Sequence, residues 1–240
     1  MKRHWILAAA FLPAFAVAQE EATEAGAEDR WSGSATLGYL STSGNTESAS
    51  LNSGFEVGYT VGNWFHRLQA KAINSAQDDE TIAEAYEAGW KTEYRFSETD
   101  FLFGRVDWRK DRFSGYDHQI SETLGYGRRW IDTERHTLNT EIGVGARQLE
   151  TQDGIEEEDF IVRGGLDYSW RFSETAEFVQ ELAIESGSEN TFIESITALK
   201  ATLMGDLALV ASYTVRNNSD VPVGTQETDT FTALSLEYGF

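Results

Sequence analysis

The chain contains no cysteine, which excludes disulfides, thiol nucleophiles and thiolate metal sites. Basic residues are scarce: 19 Lys and Arg stand against 40 Asp and Glu, and a net charge of −21 repels nucleic acid and anionic surfaces. No nucleic-acid partner is therefore expected, and no motif calls for a cofactor. Helical periodicity is absent. Beyond the first eighteen residues, no apolar run approaches the roughly 18 residues of a transmembrane helix. A hydropathy scan would read such a chain as water-soluble, but β-barrels evade these scans because only alternate residues face lipid.

Catalytic signals are equally sparse. Past the first residues, histidine occurs only at His66, His118 and His136, near a short turn, at a loop edge and in a short turn. His66 shares a predicted lipid face with Leu68 and Ala70, so a lipid-facing Ser-His dyad, as in outer-membrane phospholipase A, is the enzyme alternative. There is no G-x-S-x-G elbow, and no serine is placed beside His66 with an orienting partner. Interfacial anchoring is the better reading, and no enzyme is expected.

What is present begins with a processing segment over 1–18: basic Lys2 and Arg3, an apolar stretch from Ile6 to Val17, and an A-x-A site at Ala16-Val17-Ala18. Its removal would leave 17 basic residues against 40 acidic, a net charge of 17 − 40 = −23. Residues 19–30 are acidic, small and aperiodic, and read as a disordered periplasmic lead. From 31 to 240 the sequence alternates with period two, and twelve strand candidates follow: 31–40, 49–61, 64–75, 82–96, 101–112, 118–131, 137–149, 160–172, 177–187, 192–203, 207–216 and 229–240. The last carries Leu236, Tyr238 and Phe240 on one face, resembling the assembly signal of outer-membrane barrels read by the barrel-assembly machinery. An exposed edge of this kind invites closure of the last strand on the first. A soluble β-sandwich or lipocalin-like barrel is the competing fold.

Connections alternate in length. The short ones are Gly62-Asn63, 97–100, 132–136, 173–176 and 204–206; the long, polar ones are 41–48, 76–81, 113–117, 150–159, 188–191 and 217–228. Short periplasmic turns, longer outer loops and an even strand count describe an all-β, single closed antiparallel transmembrane barrel, an up-and-down meander with both termini periplasmic. Its surroundings would be outer-membrane lipid and lipopolysaccharide of a Gram-negative bacterium.

Aromatics cluster at two levels. Beside the short turns lie Tyr59, Trp64, Phe65, Tyr94, Phe96, Phe101, Trp130, Trp170, Phe172, Phe178, Tyr238 and Phe240; nearer the long loops lie Tyr39, Tyr86, Trp108, Phe160, Tyr213 and Phe231. They read as two interfacial girdles. Tyr94-Arg95-Phe96-Ser97-Glu98-Thr99 recurs as Trp170-Arg171-Phe172-Ser173-Glu174-Thr175, either a duplicated hairpin or two turns converging on one solution.

Gly44-Asn45-Thr46 after a first strand ending G-Y-L, the run from Gly125-Tyr126-Gly127-Arg128-Arg129-Trp130 to Glu141-Ile142-Gly143-Val144-Gly145, and the final Leu236-Glu237-Tyr238-Gly239-Phe240 resemble the salt-induced outer-membrane protein family. The family is catalogued as a domain of unknown function. The resemblance implies outer-membrane location and a link to salt or envelope stress, and supplies no catalytic residues.

Strand phase assigns most bases to the interior: Arg67, Lys71, Lys91, Arg95, Arg105, Arg109, Arg129, Arg147, Arg163, Arg171, Lys200 and Arg216. The same phase carries Glu56, Glu87, Glu93, Asp107, Glu141, Asp167, Glu181, Glu185 and Glu237. A charge beneath a bilayer needs a partner or water, so a narrow, electrostatically zipped lumen is expected. A turn centred on Glu174 pairs Arg171 with Glu177, Asp167 with Glu181 and Arg163 with Glu185, and the like-charged middle pair calls for a neighbouring cation. Gly125, Gly127, Gly143 and Gly145 strip bulk from one wall, leaving either a recess or room for large side chains. The acidic run Asp153 to Asp159 reads as a solvated loop, because it lacks the spacing of a calcium loop. A narrow channel for small solutes or ions is the leading function; a structural or stress-related envelope protein comes next and a lipid-acting enzyme third.

Overall fold

The computed structural model describes residues 30–42, 48–77, 80–111, 116–151, 154, 156–221 and 226–240. The predicted processing segment, most of the acidic lead and the Gly44-Asn45-Thr46 motif lie outside the described residues. Twelve strands follow one another as β1 (Arg30–Thr42), β2 (Ser48–Val61), β3 (Trp64–Gln77), β4 (Glu80–Arg95), β5 (Asp100–Asp111), β6 (Tyr116–Asp132), β7 (His136–Thr151), β8 (Glu156–Arg171), β9 (Ala176–Ser186), β10 (Thr191–Met204), β11 (Leu207–Asn218) and β12 (Thr228–Gly239). Each pairs antiparallel with its chain neighbours, and β12 pairs with β1 to close the barrel.

The seam is the shortest ladder, Ser34–Leu37 against Leu236–Gly239. Phe240 extends it by one pair: Gly33 N–H donates to Phe240 O at 2.8 Å and Phe240 N–H to Gly33 O at 2.9 Å. The Phe240 ring lies over Gly33, within 2.5 Å of where a Cβ would stand, so glycine is what admits it.

The burial pattern is inverted relative to a water-soluble barrel. Among the described residues, thirteen polar or charged ones are buried against seven apolar ones, while Leu37, Leu68, Trp90, Leu124, Ile142 and Leu236 stand on the outer face, Leu124 71% exposed. Alternation explains this, since successive side chains leave opposite faces and the strands are mostly apolar outside and mostly polar inside. Strands of 11 residues (β9) to 17 (β6) meet or exceed the roughly 9–11 tilted residues that cross a bilayer.

The repeated hexapeptide makes the same turn twice. Ser97 N–H reaches Asp100 O and Ser173 N–H reaches Ala176 O, both at 3.3 Å, while Thr99 and Thr175 donate back to the preceding serine hydroxyl at 3.2 and 3.3 Å.

Two expectations are corrected. β8 begins at Glu156, so most of the acidic run expected as loop is strand, paired residue for residue with Arg147–Glu150. Phe65, Phe101 and Phe231 are not girdle aromatics, because their strand parity turns them inward, where cations lie over their rings. Height along the barrel suggested the girdle; phase decides the face.

Candidate functional site

Among the described residues, most of the converging charged side chains lie in the interior, and a smaller group, Asp117, His118 and Glu150, gathers at the long-connection end. On β4, Lys91 is buried between Glu93 (3.0 Å) and Glu141 of β7, a bridge that spans three strands. Glu93 also accepts Arg95 Nη2 at 3.2 Å and lies 4.0 Å from Arg129 Nη2. On β5, Arg105 pairs with Asp107 at 2.5 Å, and Arg109 reaches Glu185 of β9 at 3.5 Å while lying 4.3 Å above the Phe192 ring. Glu185 is fully buried and accepts Arg163 Nη1 at 2.5 Å and the Ser121 hydroxyl at 3.2 Å. Arg67 contacts Glu56 at 3.5 Å.

The β8–β9 hairpin holds the register Arg171↔Glu177, Asp167↔Glu181 and Arg163↔Glu185. Arg163 makes its partner's ion pair, whereas Arg171 is exposed at the turn and donates to Glu134 O at 3.3 Å. Asp167 and Glu181 have no cation within ion-pair distance among the described residues, and both line the lumen cavity. Leu236, Tyr238 and Phe240 lie on the outer face at the seam, 47%, 53% and 60% exposed.

Glu194, Asp159, Ser188 and Asn190, which strand phase alone did not single out, complete the network around bases that it did. Arg216 bonds Glu194 on β10 at 2.7 Å and also reaches Glu87 on β4, which ties β11 across the lumen. Glu194 shares the parity of Lys200 on its strand, and that was the signal for it. Arg147, fully buried, donates to Asn190 O at 2.6 Å and lies 3.4 Å from Asp159. Asp159 in turn accepts Ser188 N–H at 3.1 Å and the Ser188 hydroxyl at 2.8 Å, folding the β9–β10 loop over the end of this wall away from the chain termini.

The glycine wall is filled. Gly127 and Gly125 face Phe101 and Phe103 across the β5–β6 ladder, and a Cβ on either would meet those rings at 2.1 and 2.6 Å. Gly145 is set more tightly, its Cβ position lying 1.9 Å from the Glu122 carbonyl oxygen. What remains open is a cavity of about 210 Å³ reaching the β1–β3 side, where Ser34, Thr36, Gly54 and Gln69 line it.

The histidines lie elsewhere. His66 stacks on Trp64 at 6.1 Å, and His136 stacks on Trp170 at 5.9 Å and bonds Tyr168 at 3.0 Å. His118 lies between Asp117 (3.3 Å) and Glu150 (3.6 Å), with Lys110 on the other Asp117 oxygen at 3.1 Å.

Inverted burial, closure without a sheet edge and paired charges inside define the class: a transmembrane β-barrel with a polar, largely filled interior. The chain belongs to the family described as protein of unknown function, DUF481, whose profile matches residues 35–240. It is 32% identical over 215 residues to the uncharacterized protein YdiY of Escherichia coli strain K12, covering 89% of this chain and 85% of that one. In fold it is similar to an outer membrane channel from Pseudomonas putida F1 (TM-score 0.53, 10% identity, 91% of this chain and 100% of that one). It is also similar to the NanC porin (TM-score 0.50, 11% identity, 86% and 97%).

Proposed function

We infer that this protein resides in the outer membrane of a Gram-negative bacterium, both termini periplasmic, as a narrow barrel that admits only small solutes or ions. The carrying observation is the cross-lumen zip, in which Arg216 to Glu87, Lys91 to Glu141 and Arg109 to Glu185 join strands that are not neighbours. Twelve strands lie between the roughly 8 whose side chains fill a barrel and the 16–18 of open porins, so long side chains nearly span the interior. The buried pairs are screened little by salt, whereas the part-exposed Arg67–Glu56 and Lys200–Glu237 pairs loosen as salt rises, so passage should depend modestly on ionic strength, in keeping with the salt or envelope-stress link that the family resemblance implies.

Planar-bilayer recording of the purified barrel tests this. The expected result is small conductance with weak ion selectivity. Large, steady, porin-like conductance at physiological salt refutes the zipped lumen. Complete silence favours the second reading, a structural envelope protein, for which the filled β4–β9 side is the supporting observation.

A further inference from the structure

Taking the ionic side chains of the lumen cavity one by one leaves three over. Among the lining acids, Glu56 is matched by Arg67, Glu87 and Glu194 by Arg216, Asp107 by Arg105, Glu141 by Lys91, and Glu237 by Lys200. Among the lining bases, Arg109 and Arg163 share Glu185. Lys71, enclosed by the barrel, has no carboxylate within ion-pair distance among the described residues, and Glu194, Glu87 and Glu181 act on it only from farther off. Asp167 and Glu181 are left facing each other on β8 and β9.

Their placement is informative. In the closed order of twelve strands, β3 and β9 stand six apart whichever way the ring is followed, and β8 is adjacent to β9. The unmatched cation and the unmatched carboxylates therefore sit on opposite walls of one cavity. Register holds each in place: Lys71 lies between Gly54 and Glu87, and Asp167 between Asn139 and Glu181. Two carboxylates set directly opposite repel each other until a cation comes between them, and an enclosed ammonium asks for an anion. A cavity of about 210 Å³ holds several waters or one small solute.

We propose that the lumen is a binding site for a small zwitterion with separated charges, its carboxylate meeting Lys71 and its ammonium meeting Asp167 and Glu181. This rests on the solute-passage reading and names the solute class. A dianion or a dication of the same length satisfies one wall and sets its second charge against the like charge of the other. A neutral polyol satisfies neither.

Calorimetry on the detergent-purified barrel, with four solutes of equal chain length, tests it: 4-aminobutyrate, succinate, putrescine and 1,4-butanediol. The expected result is 4-aminobutyrate binding about fivefold more tightly than the other three, the scale of one part-exposed ion pair. Lys71→Met should abolish its advantage over putrescine, Lys71→Arg should restore it, and Asp167→Asn with Glu181→Gln should abolish its advantage over succinate. Heat-shifted gel mobility confirms that each variant is folded. Equal binding of all four solutes, no binding, or a preference that none of these changes moves overturns the proposal. Discrimination without bilayer conductance overturns solute passage alone, and conductance without discrimination overturns the zwitterion site alone.

Discussion

The two sides of this barrel solve the same problem differently. Along β4–β9, the interior is occupied by Lys91, Glu93, Phe101, Phe103, Asp107, Glu141, Arg147, Arg163 and Glu185, all buried. Along β1–β3, glycine alone is fully buried among the described residues, and Ser34, Thr36 and Gly54 border open space. A twelve-strand barrel is too wide to be filled evenly from all sides by ordinary side chains. One wall is built thick with interlocked charge and ring pairs; the other is kept thin, and the remaining space lies between the two, bordered on one side by Ser34, Thr36 and Gly54 and on the other by Glu141, Asp167 and Glu181.

That contrast fails or sharpens under substitution. Glu185→Ala should cost the most, about 3–5 kcal/mol, because it strands Arg163 and Arg109 without a counter-charge in the thick wall; urea unfolding in detergent micelles reads it. Gly145→Ala, also in the thick wall, should cost about 1–3 kcal/mol by pushing Cβ against a backbone oxygen that cannot withdraw. Deleting Phe240 removes two seam hydrogen bonds at 2.8 and 2.9 Å, a loss of about 1–3 kcal/mol that should appear as lower outer-membrane yield. Unchanged yield would remove the seam from the account of assembly. Gly54→Ala, in the thin wall, meets nothing closer than 3.5 Å and should change stability by less than about 0.5 kcal/mol. A Gly54→Ala cost equal to that of Gly145→Ala would erase the distinction between the walls.

Much of this was legible in the sequence, because a period of two fixes the face once the strand is known. All twelve strands and the register of the β8–β9 hairpin followed from alternation and from the spacing of short turns. Strand ends at the long connections did not, since Glu156 to Asp159 are as polar as a loop and become strand only by pairing with Arg147–Glu150. The fate of the glycines was also hidden. Whether Gly125 and Gly127 open a recess depends on the rings of Phe103 and Phe101 on the neighbouring strand, a contact no single segment records. The cation-over-ring contacts of Phe65, Phe101 and Phe231 were implicit in parity, but were obscured by the aromatic clustering that girdles share with lumen rings.

The most direct measurement exploits the absence of cysteine, which makes any introduced thiol unique. Ser34→Cys and Thr36→Cys on the thin wall, and Ser121→Cys and Thr123→Cys on the thick wall, can each be labelled in the folded barrel with a small water-soluble methanethiosulfonate and followed by mass spectrometry. Ser121 and Thr123 are only 1% and 3% exposed, whereas Ser34 and Thr36 border the cavity. The account predicts labelling at least about tenfold faster at positions 34 and 36, the ratio expected if the thick wall must open locally before reagent reaches it. Equal rates at all four positions would contradict it, because the lumen would then be an evenly wetted pore.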